Sequence, residues 1–204
     1  MIETAHVGTA GPACTIEGGC VANGFERRSE SITYTYPEAH SLRTSRPFMN
    51  YPPEFRRPSL ARVAHHEAAH VILLRWIGLD SPKATATATS GLAYMPSLPD
   101  VPEQHPDPTG EVAACAAAIF HAGAMGELLH EGIEWTGPLF YPEQVDYQMA
   151  NRMLMAGFGN HASSGHAWAQ RVALHVLQSR WDEVQGIARV LIERGEWTAG
   201  FHRT

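Results

Sequence analysis

Apolar positions along this chain fall into helical repeats only after residue 58. Over residues 59–77 they recur on a helical spacing, with Val63, Leu74 and Ile77 on neighbouring faces. Ser59 is placed to cap the start of this helix and Gly78 to end it. Residues 84–90 alternate instead, with Thr85, Thr87 and Thr89 on one face. That is the period of a strand. With Gly91 and residues 92–95 it predicts one strand or a small hairpin. Residues 96–109 carry five prolines and predict a loop. A second helix is expected over 110–131, rich in alanine and glycine on the faces that pack. A third is expected over 142–156, with Pro142 in its first turn and Gly157 and Gly159 closing it. Two more should cover Ala162–Ser179 and Trp181–Arg194. The expected fold class is mainly α: about five helices with a small strand or hairpin beside the first.

Residues 1–58 lack this periodicity and are broken by Gly8, Gly11, Gly18, Gly19 and Gly24 and by six prolines. They read as a flexible N-terminal arm with at most a short strand at 31–36, leaving 59–204 as the helical domain.

Composition narrows the classes. A chain of 204 residues holds one ordinary domain plus tails, and 44% hydrophobic content is enough for a core. Fifteen Lys+Arg against 21 Asp+Glu leave a net charge of −6, which disfavours a phosphate-tracking nucleic-acid binder. The longest apolar stretch, 112–126, is interrupted by His121, so no membrane span is expected. The first residues show no basic and apolar leader pattern, so no signal peptide is expected. Cys14, Cys20 and Cys115 do not suggest a disulfide framework, and Cys14 and Cys20 are not spaced as a standard zinc pair. A reducing, cytoplasmic setting is expected. Twelve histidines point instead toward metal or acid–base chemistry.

The chemistry-bearing motif is His66-Glu67-Ala68-Ala69-His70, a HExxH within the first helix. Positions four apart share a helix face, so both imidazoles can hold one Zn²⁺. Glu67 stands beside them, where a glutamate can serve as general base to a metal-activated water. His65 points about 100° away and is read as a bystander. A third ligand is required. A histidine six residues after the second would mark one class of zinc peptidase, but Trp76 stands there. The residues leave two routes open: a glutamate from a later helix, Glu127 or Glu131, or an aspartate from a still later one, Asp146. His105, His121, His130, His161, His166 and His175 have no interpretable spacing and are expected to be structural or surface residues, His121 being the notable one.

In order and spacing, several segments together resemble the peptidase domain of FtsH-type ATP-dependent zinc proteases, over roughly 59–194. Residues 64–70 with Leu74, Gly78 and Leu79 are similar to its HExGH helix and the Leu-Gly that follows. Ala122-Gly-Ala-Met-Gly-Glu127-Leu-Leu resembles its Ala-Gly-Arg-x-Ala-Glu-Glu helix, and Val145-Asp146 through Arg152 its Asn-Asp-Leu segment. The resemblance implies His66, His70 and Asp146 as zinc ligands and Glu67 as catalytic base, with Glu127 beside the site rather than on the metal. It also implies a peptide or protein substrate. Three departures stand out. Ala69 replaces a glycine, implying a less close helix contact; Gly126 replaces an alanine; Leu128 replaces an acid. No GxxxxGK[ST] loop occurs, so no ATPase module is expected, and any unfolding would need a separate partner.

The leading expectation is thus an ATP-independent zinc endopeptidase. The alternatives are a non-catalytic regulatory or interaction module on the same fold, and a zinc peptidase of another branch with Glu127 as third ligand. Thr85, Thr87 and Thr89 are expected to line an edge to which an extended substrate could add.

Overall fold

The computed structural model describes residues 14–16, 32–34, 39–79, 81–95, 110–158 and 162–200. Cys20, the proline-rich stretch 96–109, His105 and His161 lie outside the described residues.

Helix α1 (Leu60–Trp76) begins where the Ser59 hydroxyl accepts a 3.3 Å hydrogen bond from the Arg62 N–H. Beyond Ile77, Gly78 takes φ +82°, a left-handed conformation disfavoured by a β-carbon, and turns the chain. From residue 67 to 74 every position of α1 is buried, as expected of a helix without a polar face. Helix α2 (Glu111–Glu131) is buried along nearly its whole length too. By length and composition α2 could cross a membrane, but 89% of its apolar window is buried inside this fold. Helix–helix packing therefore accounts for its apolar character.

Helix α2 packs against α1, α3 (Val145–Phe158) and α4 (Ala162–Ser179). Helix α3 starts later than expected, because Pro142 and Glu143 form a turn closed by the Gln144 N–H on the Tyr141 carbonyl at 3.0 Å. It also runs through Gly157 to Phe158. Helix α5 (Trp181–Arg194) is amphipathic and buries Val184, Ile187, Ala188 and Leu191 on its inner stripe, against α1. Among the described residues, five α-helices beside a three-stranded sheet make the fold mainly α.

The sheet is antiparallel, in the order β4 (Gly91–Ala93), β3 (Lys83–Ala86), β5 (Glu196–Thr198). The β3–β4 hairpin packs on α1. Strand β5 was not legible in the sequence. It pairs Ala84 with Trp197, whose side chain is buried in the core. A separate pair joins β1 (Cys14–Ile16) to β2 (Ile32–Tyr34), the latter inside the expected 31–36 strand.

The last part of the expected arm lies against the domain. The Met49 N–H donates to the Pro138 carbonyl at 3.0 Å, and Met49 bridges Leu139. A 3-10 turn at Pro53–Arg56 buries Phe55 in the core. Residues 46–58 thus form a strap over the loop between α2 and α3, so the packed unit extends N-terminal of residue 59. Buried Gln170 of α4 anchors that loop from below. Its side-chain oxygen accepts from Trp135 Nε1 at 2.9 Å and the Leu139 N–H at 2.8 Å.

Candidate metal centre

Two buried helices meet along matched ridges to form the site. On α1, Arg62, His66 and His70 are four apart; on α2, Ile119, Gly123 and Glu127 are four apart. Residues four apart share a face. The helices run in opposite directions, so Arg62 meets Glu127, His66 meets Gly123 and His70 meets Ile119. Gly123 leaves the space that the His66 ring fills, and a β-carbon there would overlap the ring. Gly126 similarly faces Ala69 and the His65 carbonyl. The helices remain close because the glycine lies on α2 rather than at position 69. The looser contact implied by Ala69 is therefore not found.

Each histidine is oriented from behind. His66 Nδ1 is 2.7 Å from Glu127 Oε1, and His70 Nδ1 is 2.8 Å from the Ile119 carbonyl oxygen. Both partners only accept, so both Nδ1 atoms carry the proton and donate. In the neutral rings the Nε2 lone pairs then face inward, toward Asp146 in the first turn of α3. Asp146 Oδ2 lies 3.1 Å from His66 Nε2 and 3.3 Å from His70 Nε2. Three electron-rich atoms converge, and a cation among them satisfies all three. With metal–ligand distances of roughly 2.0–2.1 Å, the edges of a tetrahedron are about 3.3 Å. The two edges at Asp146 match those of such a tetrahedron. Their ligand atoms all lie within 4.8 Å of one another.

The electrostatics agree. Burial alone would raise the Asp146 carboxyl, but the facing His70 and His66 rings outweigh it and hold the group far below the usual carboxylate range. The positive end of α3 acts in the same direction. His66 is pushed well above the usual histidine range, because hydrogen bonds to Asp146 and Glu127 outweigh burial. A proton and a metal ion thus compete for the same inward face.

Glu67 is buried, with the backbone of Ala93 hydrogen-bonding its carboxylate. Gly91 provides room for it; a β-carbon there would come within 2.6 Å of Glu67 Cγ. Burial raises the Glu67 carboxyl, and the nearby His66 and His70 only partly offset this. Such an acid is a stronger base than a solvated glutamate.

The structure brings Glu67, His66, His70 and Asp146 together and puts Glu127 behind His66. There Glu127 also receives Arg62 Nε at 3.2 Å. Glu131 lies outside the cluster, 3.8 Å from Arg62 Nη1. The threonine edge does not form. Strand β3 is paired on both sides, so Thr85 is central in the sheet. Thr87 and Thr89 lie in the turn beyond it, where Thr87 Oγ1 donates to the Ser90 carbonyl at 2.8 Å. The outer strand on the Glu67 side is β4. A cleft of about 550 Å³ opens between the strap, the hairpin turn and the loop entering α3. Tyr51, Phe55, Thr89, Phe140 and Glu143 are among its walls.

Sequence reasoning missed Arg62, which is nearly buried and tied to Glu127, to the Glu54 carbonyl and to the face of Phe55. Its position four residues before His66 was the available signal. Gly123, Gly91 and the Ile119 carbonyl were also missed. No protein-family model matches the chain, and no curated protein matches it in sequence.

Proposed function

We propose that this chain is a zinc-dependent peptide-bond hydrolase, with a peptidase domain of the FtsH type. One observation carries this reading: two histidines with proton-bearing Nδ1 atoms turn their Nε2 atoms onto one aspartate oxygen, beside a buried glutamate. His66, His70 and Asp146 would hold Zn²⁺. The ion would polarise a carbonyl and lower the pKa of water to roughly 7. Glu67 takes the proton from the attacking water and returns it to the leaving amine. Glu127 and Ile119 keep the two imidazoles turned inward, and Arg62 holds the Glu127 carboxylate in place. An extended peptide would lie along β4, with side chains entering the aromatic cleft. The setting would be cytoplasmic.

Metal analysis and peptide cleavage on purified protein test this reading. About one zinc per chain is expected, lost in Asp146→Ala. Glu67→Gln should keep the zinc and lose cleavage. A parent that binds zinc but cleaves no member of a broad peptide library supports the regulatory-module reading instead.

A further inference from the structure

A second group of histidines, which the chemistry above does not use, lies behind the third ligand. His121 of α2 and His166 of α4 are both fully buried. His121 Nδ1 is 2.7 Å from the Tyr141 hydroxyl, and its Nε2 is 2.9 Å from His166 Nδ1. His166 Nε2 is 3.2 Å from Asn151 Oδ1 on α3. One proton arrangement satisfies the whole chain. The amide oxygen of Asn151 accepts, so His166 Nε2 donates and its Nδ1 is bare. His121 Nε2 then donates to that Nδ1, and His121 Nδ1 accepts from the Tyr141 hydroxyl. Burial keeps both rings neutral, lowering His166 to about 4 and His121 well below its ordinary value.

This chain also holds α3 at a second point. The Tyr147 ring stacks on His166, with centroids 4.3 Å apart and planes 10° apart. Tyr147 and Asn151 are four residues apart, on one face of α3, and both grip the same imidazole. Asp146 is the neighbour of Tyr147. Apart from Asp146 itself, the Gln148 side chain on the Pro142 carbonyl and the Tyr147 ring contacts, α3 packs through an apolar face, with Ala150 and Leu154 in a cluster with Ala117 and Phe120. Contacts of that kind set rotation through shape alone, and small residues such as Ala117 and Ala150 leave it less sharply defined than a hydrogen bond and a stacked ring do.

We propose that His166, held by His121, is the positioning residue for Asp146. It fixes the rotation of α3 about its own axis and so keeps Asp146 Oδ2 on the two Nε2 atoms. The tolerance is tight. A carboxylate lies about 6 Å from the axis of its helix, so a turn of roughly 20° moves it by about 2 Å. Metal–ligand distances tolerate about 0.2 Å. This inference rests on the metal-centre reading, and its test does not depend on peptidase activity.

The test is Zn²⁺ titration of chelator-stripped protein against a competing chromophoric chelator, together with the visible spectrum of the Co²⁺ form. His166→Leu removes the grip. Asn151→Ala removes only the hydrogen bond at its partly exposed end and keeps the test available if the leucine variant does not fold. Both should lose about 10- to 100-fold in zinc affinity and change the cobalt band intensity. His166→Gln, which can accept from His121 and donate to Asn151, should recover most of the loss. Leu191→Ala, a core truncation in α5, should lower the melting temperature without changing zinc affinity. Zinc affinities of His166→Leu and Asn151→Ala within twofold of the parent overturn the inference. So does an equal affinity loss in Leu191→Ala. A parent that binds neither metal overturns the metal centre itself, and the inference with it.

Discussion

Gly123 of α2 lies against the imidazole of His66, and the ring occupies the space where a side chain would begin. The same ring is held from behind by Glu127, one helical turn further along α2. One helix therefore supplies both the space for a ligand and its orientation. Gly123→Ala must displace the ring. The expected result is a zinc affinity at least tenfold weaker and a stability loss of about 1–3 kcal/mol from overpacking. Zinc titration and thermal melting check both. Parent-like zinc binding would show that the ring can move without cost.

Ala69 and Gly126 form a matched pair across the same interface. A β-carbon at 126 would lie 2.7 Å from Ala69 Cβ. Gly126→Ala alone should therefore cost about 1–3 kcal/mol. The exchange Ala69→Gly with Gly126→Ala should recover the part of that loss due to the Ala69 methyl, while the tight approach to the His65 carbonyl remains. Denaturant unfolding of the two singles and the double measures the coupling. Additive effects would mean that the two positions do not share a contact.

Glu127 has two partners, and its variants should separate their roles. Glu127→Ala leaves Arg62, only 5% exposed, without its main counter-charge. Breaking a buried pair in this way costs about 3–5 kcal/mol. It also frees His66, so zinc affinity should fall by about 10- to 100-fold. Glu127→Gln can still accept from His66 Nδ1 and should retain more affinity than stability. Complete loss of zinc in Glu127→Ala, with zinc kept in Asp146→Ala, would exchange the two assignments.

Acid should destabilise the metal-free protein through His166. The folded ring titrates at about 4 and the unfolded one at about 6.5. Between these values the unfolded chain binds a proton that the folded chain does not, so stability is lost as pH falls from about 6.5 to about 4. The shift corresponds to about 3 kcal/mol at most. His121 acts in the same direction. Denaturant unfolding at pH 7 and pH 4.5 should therefore show a larger loss in the parent than in His166→Gln. Equal losses would remove His166 as the cause.

On the proposed reading zinc should raise the melting temperature, because it would bind the folded centre and not the dispersed side chains. At a free concentration 1,000 times the dissociation constant the gain is about 4 kcal/mol. Chelator should reverse it in the parent and have no effect on His70→Ala. A chelator effect of equal size in that variant would place the metal elsewhere.

The features legible in the sequence are those with local causes. Ser59 and Gly78 bracket α1 because capping involves groups a few residues apart. The limits of α4 and α5 followed from periodicity in the same way. His66 and His70 share a face because helix geometry requires it. Other features depended on which segments meet. The residue pattern alone left Glu127 and Asp146 both open and only the resemblance singled out Asp146; packing puts Glu127 behind the His66 ring and Asp146 before it. The strap over 46–58 and strand β5 follow from single buried anchors, Phe55 and Trp197, in segments too short for a periodic signal. Thr85 alternates as an edge residue would, but alternation records two faces and not which neighbours pair. The sequence by itself determined the helices and the two-histidine face. The place of Asp146 before the two rings, the orientation of both rings and the buried His121–His166 chain were decided by tertiary structure, because each depends on the distance between atoms far apart along the chain.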